Sequence, residues 1–67
     1  MEIIKNRIKE LRIENNFTQV QLANKIGFSQ SIIAQWENGT KIPSIEALIN
    51  FAKLFNCSTD YLLGLEN

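Results

Sequence analysis

The sequence predicts an all-α fold of five short helices, and three observations carry that prediction. Apolar residues recur at helical spacing, as Ile4, Ile8 and Leu11 do near the start. Four hydroxyl residues, Thr18, Ser29, Ser44 and Ser58, stand just ahead of such segments, where a side-chain oxygen can take a free helix amide. Gly27, Gly39 and Asn56 fall where the segments should stop. Sixty-seven residues lie near the lower size limit for a core without staples. At 45% hydrophobic residues, with four Phe, one Trp and one Tyr, the chain can still build one compact helical core. It reads as a single domain over residues 1–67.

The first helix should span about Ile3 to Asn15. Ile4, Ile8 and Leu11 face inward, Lys5, Lys9, Glu10 and Glu14 outward, and Arg12 lies beside the apolar stripe. Asn15 and Asn16 stop it, and Phe17 packs ahead of the next cap as a hydrophobic staple. Thr18, with Gln21 three residues later, has the form of a capping box. Leu22, Ala23 and Ile26, with Val20, give the second helix its apolar face, and Gly27 permits a sharp turn.

Ser29 caps a third helix that carries Ile33, Trp36 and Glu37 on one side. Arg12 and Glu37 therefore both face inward. Each charge is costly to bury alone, and pairing resolves both. The other reading of Arg12 is a grip on phosphate. After a loop from Thr40 to Pro43, Ser44 caps a fourth helix, with Glu46 in its first turn and Ile45, Leu48, Ile49, Ala52 and Phe55 as its buried stripe. Asn56 ends it. Ser58 caps a fifth helix, where Tyr61, Leu62, Leu63 and Leu65 exceed what one face can bury and leave apolar surface for a partner.

Composition excludes several function classes. Cys57 is alone and histidine is absent, so there is neither a disulfide framework nor a zinc set, and Cys57 reads as a small buried hydrophobe. No apolar run reaches membrane-spanning length and the charged N-terminus is no signal peptide, so a cytoplasmic protein is expected. With no His, a single Cys lacking a basic neighbour and no Gly-rich phosphate loop, no catalytic set or cofactor site is expected. Seven Lys plus Arg balance seven Asp plus Glu, so no overall basic field draws in a polyanion.

The outward face of the third helix is distinctive. At ~100° per residue, Gln30, Ser31, Ala34, Gln35 and Asn38 share one side, which holds amides, a hydroxyl and a methyl but no Lys or Arg. Those groups can hydrogen-bond base edges and touch a thymine methyl. As a plain polar helix surface they would need no function. Gln19 opens the preceding helix, whose free amides suit a phosphate.

The set Gln19, Leu22-Ala23, Ile26-Gly27-Phe28, Ile33 and Trp36-Glu37-Asn38-Gly39, with Pro43-Ser44 and a terminal Asp60-Tyr61-Leu62-Leu63-Gly64, resembles the phage-repressor/Cro-like (XRE-type) helix-turn-helix family. The resemblance covers nearly the whole chain. It implies a compact five-helix, lambda-repressor-like DNA-binding domain and favours a bridge between Arg12 and Glu37. It also implies a transcriptional regulator, by default a repressor, acting as a homodimer on double-stranded DNA. Base contacts would come from Gln30, Ser31, Ala34 and Gln35, and phosphate contacts from Gln19, Ser29, Asn38, Thr40 and Lys41. Asn38 can instead cap its own helix, and Ile32 can support Trp36 or touch a thymine methyl. Thr59, Leu63 and Leu65 are the expected dimer surface. A protein-interaction module or an antitoxin-like regulator on the same scaffold is the rival reading.

Overall fold

The computed structural model describes residues 2–66. Its five helices are α1 (Glu2–Glu14), α2 (Gln19–Ile26), α3 (Gln30–Asn38), α4 (Ile45–Phe55) and α5 (Thr59–Leu63). Each of the last four starts on a side-chain cap. Thr18 Oγ1 accepts from the Gln21 amide while Gln21 Oε1 accepts from the Thr18 amide, and Ser29, Ser44 and Ser58 accept from Ile32, Ala47 and Tyr61. Asn16 and Asn56 take the left-handed conformation that ends α1 and α4, as asparagine tolerates. Gly64 needs its missing side chain for two reasons. Its φ is +80°, and a Cβ there would lie 2.5 Å from Ile3 Cγ2.

The helices enclose one core. Ile4 and Ile8 from α1, Leu22, Ala23 and Ile26 from α2, Ile33 and Trp36 from α3, Ala47, Leu48 and Phe51 from α4, and Leu62 from α5 are buried together. Five aromatic rings run through it in a continuous chain. Phe28 meets Trp36 edge-on at 5.2 Å, Trp36 meets Phe51 at 5.8 Å, Phe51 stacks on Phe55 at 6.2 Å, and Phe55 lies 6.3 Å from Phe17. α2 packs against α3 and α4, while α1 packs against α3 and α5. Asn50 Nδ2 adds a 3.3 Å bond to the Ile26 carbonyl at the end of α2. Arg7 lies over the Tyr61 ring at 4.0 Å and ties α1 to α5.

Three expectations about apolar faces are corrected. Val20 is 56% exposed, because six residues of helix rotate it ~120° from Ile26. Ile45 and Ile49, assigned to the buried stripe of α4, are 77% and 42% exposed. Eight of the eleven α4 residues are apolar, so periodicity could not choose a face, and the large Phe51 decides it. Leu65 is not on α5, which ends at Leu63. It follows the left-handed Gly64 and is 74% exposed.

Cys57 is half-buried and free, and burial followed by the nearby Glu66 charge pushes its thiol up. The thiol therefore stays protonated at neutral pH and packs as a small apolar group. No described helix is long and apolar enough to cross a membrane.

Candidate nucleic-acid interface

Helices α2 and α3, joined through Gly27 (φ +81°) and Ser29, form the frame of the site. Ile33 and Trp36 lock α3 into the core, so the opposite side of α3 stays outward. Gln30, Ser31 and Asn38 are exposed on it, and Ala34 and Gln35 are half-exposed. With side chains an α-helix is about 10–12 Å across, which matches the ~12 Å width of the DNA major groove.

A hydrogen-bonded chain runs from the core to this face. Arg12 Nε donates to Glu37 Oε2 at 2.6 Å and Arg12 Nη2 to Glu37 Oε1 at 3.0 Å, a bidentate pair. The two side chains are only 14% and 5% exposed. Arg12 Nη1 also donates to the Phe17 carbonyl at 3.0 Å, fixing the end of α1. The bonds that Arg12 donates to Glu37 raise its pKa further, against the opposing effect of burial and with help from the Glu37 charge. Gln19 Nε2 donates to Glu37 Oε1 at 3.2 Å, and Gln30 Nε2 donates to Gln19 Oε1 at 2.7 Å. The Gln19–Gln30 link was invisible to periodicity, since it joins two helices through side-chain ends.

The structure places the other candidate residues more variously. Ser29 Oγ is occupied as the α3 cap. Asn38 Oδ1 accepts from both the Thr40 amide and the Thr40 hydroxyl, so these two residues close the end of α3 on each other. The Lys41 amide donates to the Gln35 carbonyl at 3.2 Å, which holds Lys41 beside the helix end. Gln35 does not stand wholly clear of the protein. Its Oε1 is enclosed, with no hydrogen-bond partner among the described residues. Arg12, by the same geometry, is spent on Glu37 and Phe17. Thr59 and Leu63 lie one turn apart on α5, but Leu63 packs against the core, while Leu65 lies past the Gly64 turn.

Periodicity alone places Lys9 on the outward side of α1. A groove of about 340 Å³ is lined by Lys9, Arg12, Gln19, Ala34, Glu37 and Asn38, which puts Lys9 at the edge of the α3 face. The Lys5 stem lies over Gly39, 3.2 Å from where a Cβ would be. Cations on α1 thus flank an α3 that has none. Only the packing of α1 across α3 reveals this. A second groove of about 400 Å³, lined by Asn16, Phe17, Gln21, Asn24 and Lys25, includes no residue of α3.

The ends of the helices differ in charge. α4 and α5 carry Glu46 and Asp60 in their first turns, whereas α2 and α3 carry no acid there. No acid therefore offsets the positive N-terminal ends of α2 and α3, where the Thr18 and Ser29 side chains take one amide each.

The helix-turn-helix family model matches residues 8–62, which takes in both helices, their turn and the helices packed on them. The chain belongs to the XRE-type helix-turn-helix family. Among helix-turn-helix proteins, it is 39% identical over 59 residues to the uncharacterized HTH-type transcriptional regulator YobD of Bacillus subtilis (strain 168), covering 88% of this chain and 53% of that protein. The chain spans about half the length of the curated relatives it matches. Its fold is similar to that of the P22 c2 repressor protein in complex with synthetic operator 9T, with a TM-score of 0.83, 34% identity, and 88% and 89% of the two chains covered. It is also similar to SinR, the master regulator for biofilm formation, in complex with DNA, with a TM-score of 0.82, 31% identity, and 90% and 97% covered.

Proposed function

We propose that this chain binds double-stranded DNA sequence-specifically and regulates transcription, by default as a repressor whose bound domain excludes polymerase. The observation that carries this reading is the outward face of α3. Gln30, Ser31, Ala34 and Gln35 are presented by a helix locked between α1 and α2, in a helix-turn-helix of the same fold as two solved DNA complexes. Base edges would be met by these four side chains. Phosphates would be met by the start of α2 at Gln19, the region of Ser29, the loop from Asn38 and Thr40 to Lys41, and Lys9. The action is steric, with no bond made or broken, and needs no cofactor. Its setting is the cytoplasm, where DNA lies open to a regulator.

A net charge of zero leaves one domain few phosphates to neutralise, so a monomer should bind weakly. Two copies on one duplex remedy this. Recognition helices about 34 Å apart reach successive major grooves, and a chain 28 Å along its longest axis can touch a copy at that spacing. Thr59, Leu63 and Leu65 are the proposed contact, with residues 1–67 acting as one DNA-binding domain. Neutral charge and the exposed Ile42, Ile45 and Ile49 support the rival, a protein-interaction module on the same frame.

Alanine at Gln30 or Gln35 separates the two. Each substitution should cost about 1–3 kcal/mol of discrimination between a selected site and its mismatches, with thermal unfolding nearly unchanged for the exposed Gln30. The measurement is fluorescence anisotropy on matched and mismatched duplexes. Identical profiles for wild type and both variants would remove α3 from the contact.

A further inference from the structure

We propose that the outward face of α4 is a self-association surface, on which a second copy of this chain lays the same face with the two helices antiparallel. The contact is separate from the α5 surface proposed above and needs no DNA. At ~100° per residue, Glu46, Ile49 and Lys53 fall within ~60° of one another, opposite the buried Ala47, Leu48 and Phe51. Ile45 lies at the edge of this stripe. The stripe therefore carries two isoleucines, 77% and 42% exposed, beside an acid in the first turn and a base in the last. Ile42, in the loop ahead of the helix, is exposed as well. No ion pair or side-chain hydrogen bond engages Glu46 or Lys53 among the described residues, so both charges are free to meet a partner.

The order of those residues selects the occupant. A two-fold contact brings residue i of one copy to j of the other and j to i, so its surface must match itself when turned round. In α4, Glu46 and Lys53 stand equally far on either side of a point midway between Ile49 and Asn50. Antiparallel helices centred there set Glu46 opposite the second copy's Lys53, twice by symmetry, with the two Ile49 side chains meeting at the axis. A parallel pair would set acid on acid and base on base, which is repulsive. Charge therefore fixes the direction, and burial of isoleucine supplies the attraction. An eleven-residue helix is about 16 Å long and 10–12 Å across, so one face offers well under the ~800 Å² per partner of a stable interface. The association is accordingly weak and reversible.

The test uses the full chain without DNA, in sedimentation equilibrium over a concentration series reaching the millimolar range. Wild type should pass reversibly from monomer to dimer along the series. Glu46→Lys and Lys53→Glu each turn both attractive pairs into like-charge pairs, and each should weaken self-association about three- to tenfold. Mixed in equal amounts, the two variants regain opposite charges at both pairs, so the mixture should associate about as tightly as wild type. Ile49→Lys puts two like charges at the axis and should leave a monomer, whereas Leu65→Lys should change nothing. Loss of the dimer in Leu65→Lys but not in Ile49→Lys would move the contact to the end of α5 and overturn the proposal. A wild type that stays monomeric throughout, or a mixture no tighter than its components, would also overturn it and leave the α4 face to a different protein or to none. Should either charge variant lose its helical circular dichroism, the Ile49→Lys and Leu65→Lys pair still decides the matter.

Discussion

Arg12→Met should destabilise the protein by about 3–5 kcal/mol if Glu37 stays enclosed and by less where water reaches it, and Glu37→Leu by a similar amount. The size follows from what each variant leaves behind. The Glu37 side chain is 5% exposed beside Arg12, and without Arg12 it keeps only the Gln19 amide at 3.2 Å. Without Glu37, the guanidinium keeps the Phe17 carbonyl alone. A largely enclosed charge that has lost its partner recovers only part of its water, from the groove it lines, and the Coulomb gain that offset its desolvation is gone. Replacing both groups by apolar side chains removes both desolvation penalties, so the double variant should be far more stable than the sum of the singles predicts. Urea unfolding of all four proteins yields the coupling. Additive losses would mean that the two side chains do not meet.

Phe51→Ala should cost about 3–5 kcal/mol. Phe51 is fully buried and is the middle ring of the aromatic chain, edge-on to Trp36 at 5.8 Å and stacked on Phe55 at 6.2 Å. Removing it opens a cavity beside Trp36 and Phe55 that the packed helices close only in part. A domain of this length is stable by roughly 3–10 kcal/mol in all, so the variant should sit close to unfolded at room temperature. Circular dichroism against temperature checks this. A melting curve near that of wild type would mean that the core closes without Phe51. Ile49→Ala, by contrast, should be nearly silent, because Ile49 lies on the exposed side of the same helix.

That contrast shows where the sequence was legible. Caps and stops came through clearly, since Thr18 with Gln21, Ser29, Ser44, Ser58, Gly27 and Asn56 act over three or four residues of chain. The inward face of α3 was legible in Ile33 and Trp36, the large apolar residues three apart, with Ile32 left ambiguous beside them. The face of α4 was not, because apolar residues surround most of it and packing against α2 makes the choice. The placing of Leu65 failed for a local reason: the left-handed Gly64 ends α5 before it.

At the site, single residues were readable and their connections were not. Gln30 and Gln19 are eleven residues apart and meet only because the α2–α3 turn brings the start of each helix together. Lys9 read as solvated surface, and the packing of α1 on α3 brings it to the rim of the groove beside Gln19 and Asn38. The enclosed oxygen of Gln35 lies on a face that periodicity reads as wholly outward, so the sequence pattern did not reveal it.

Selection of bound duplexes from a random DNA pool tests the central claim most directly. The account predicts enrichment of a pseudo-palindrome whose half-site centres lie about 34 Å, or 10–10.5 base pairs, apart. Each half-site should include one position that loses its preference in Gln30→Ala and another that loses it in Gln35→Ala. A pool that emerges unenriched from wild-type protein, or a site whose profile neither substitution changes, would contradict it.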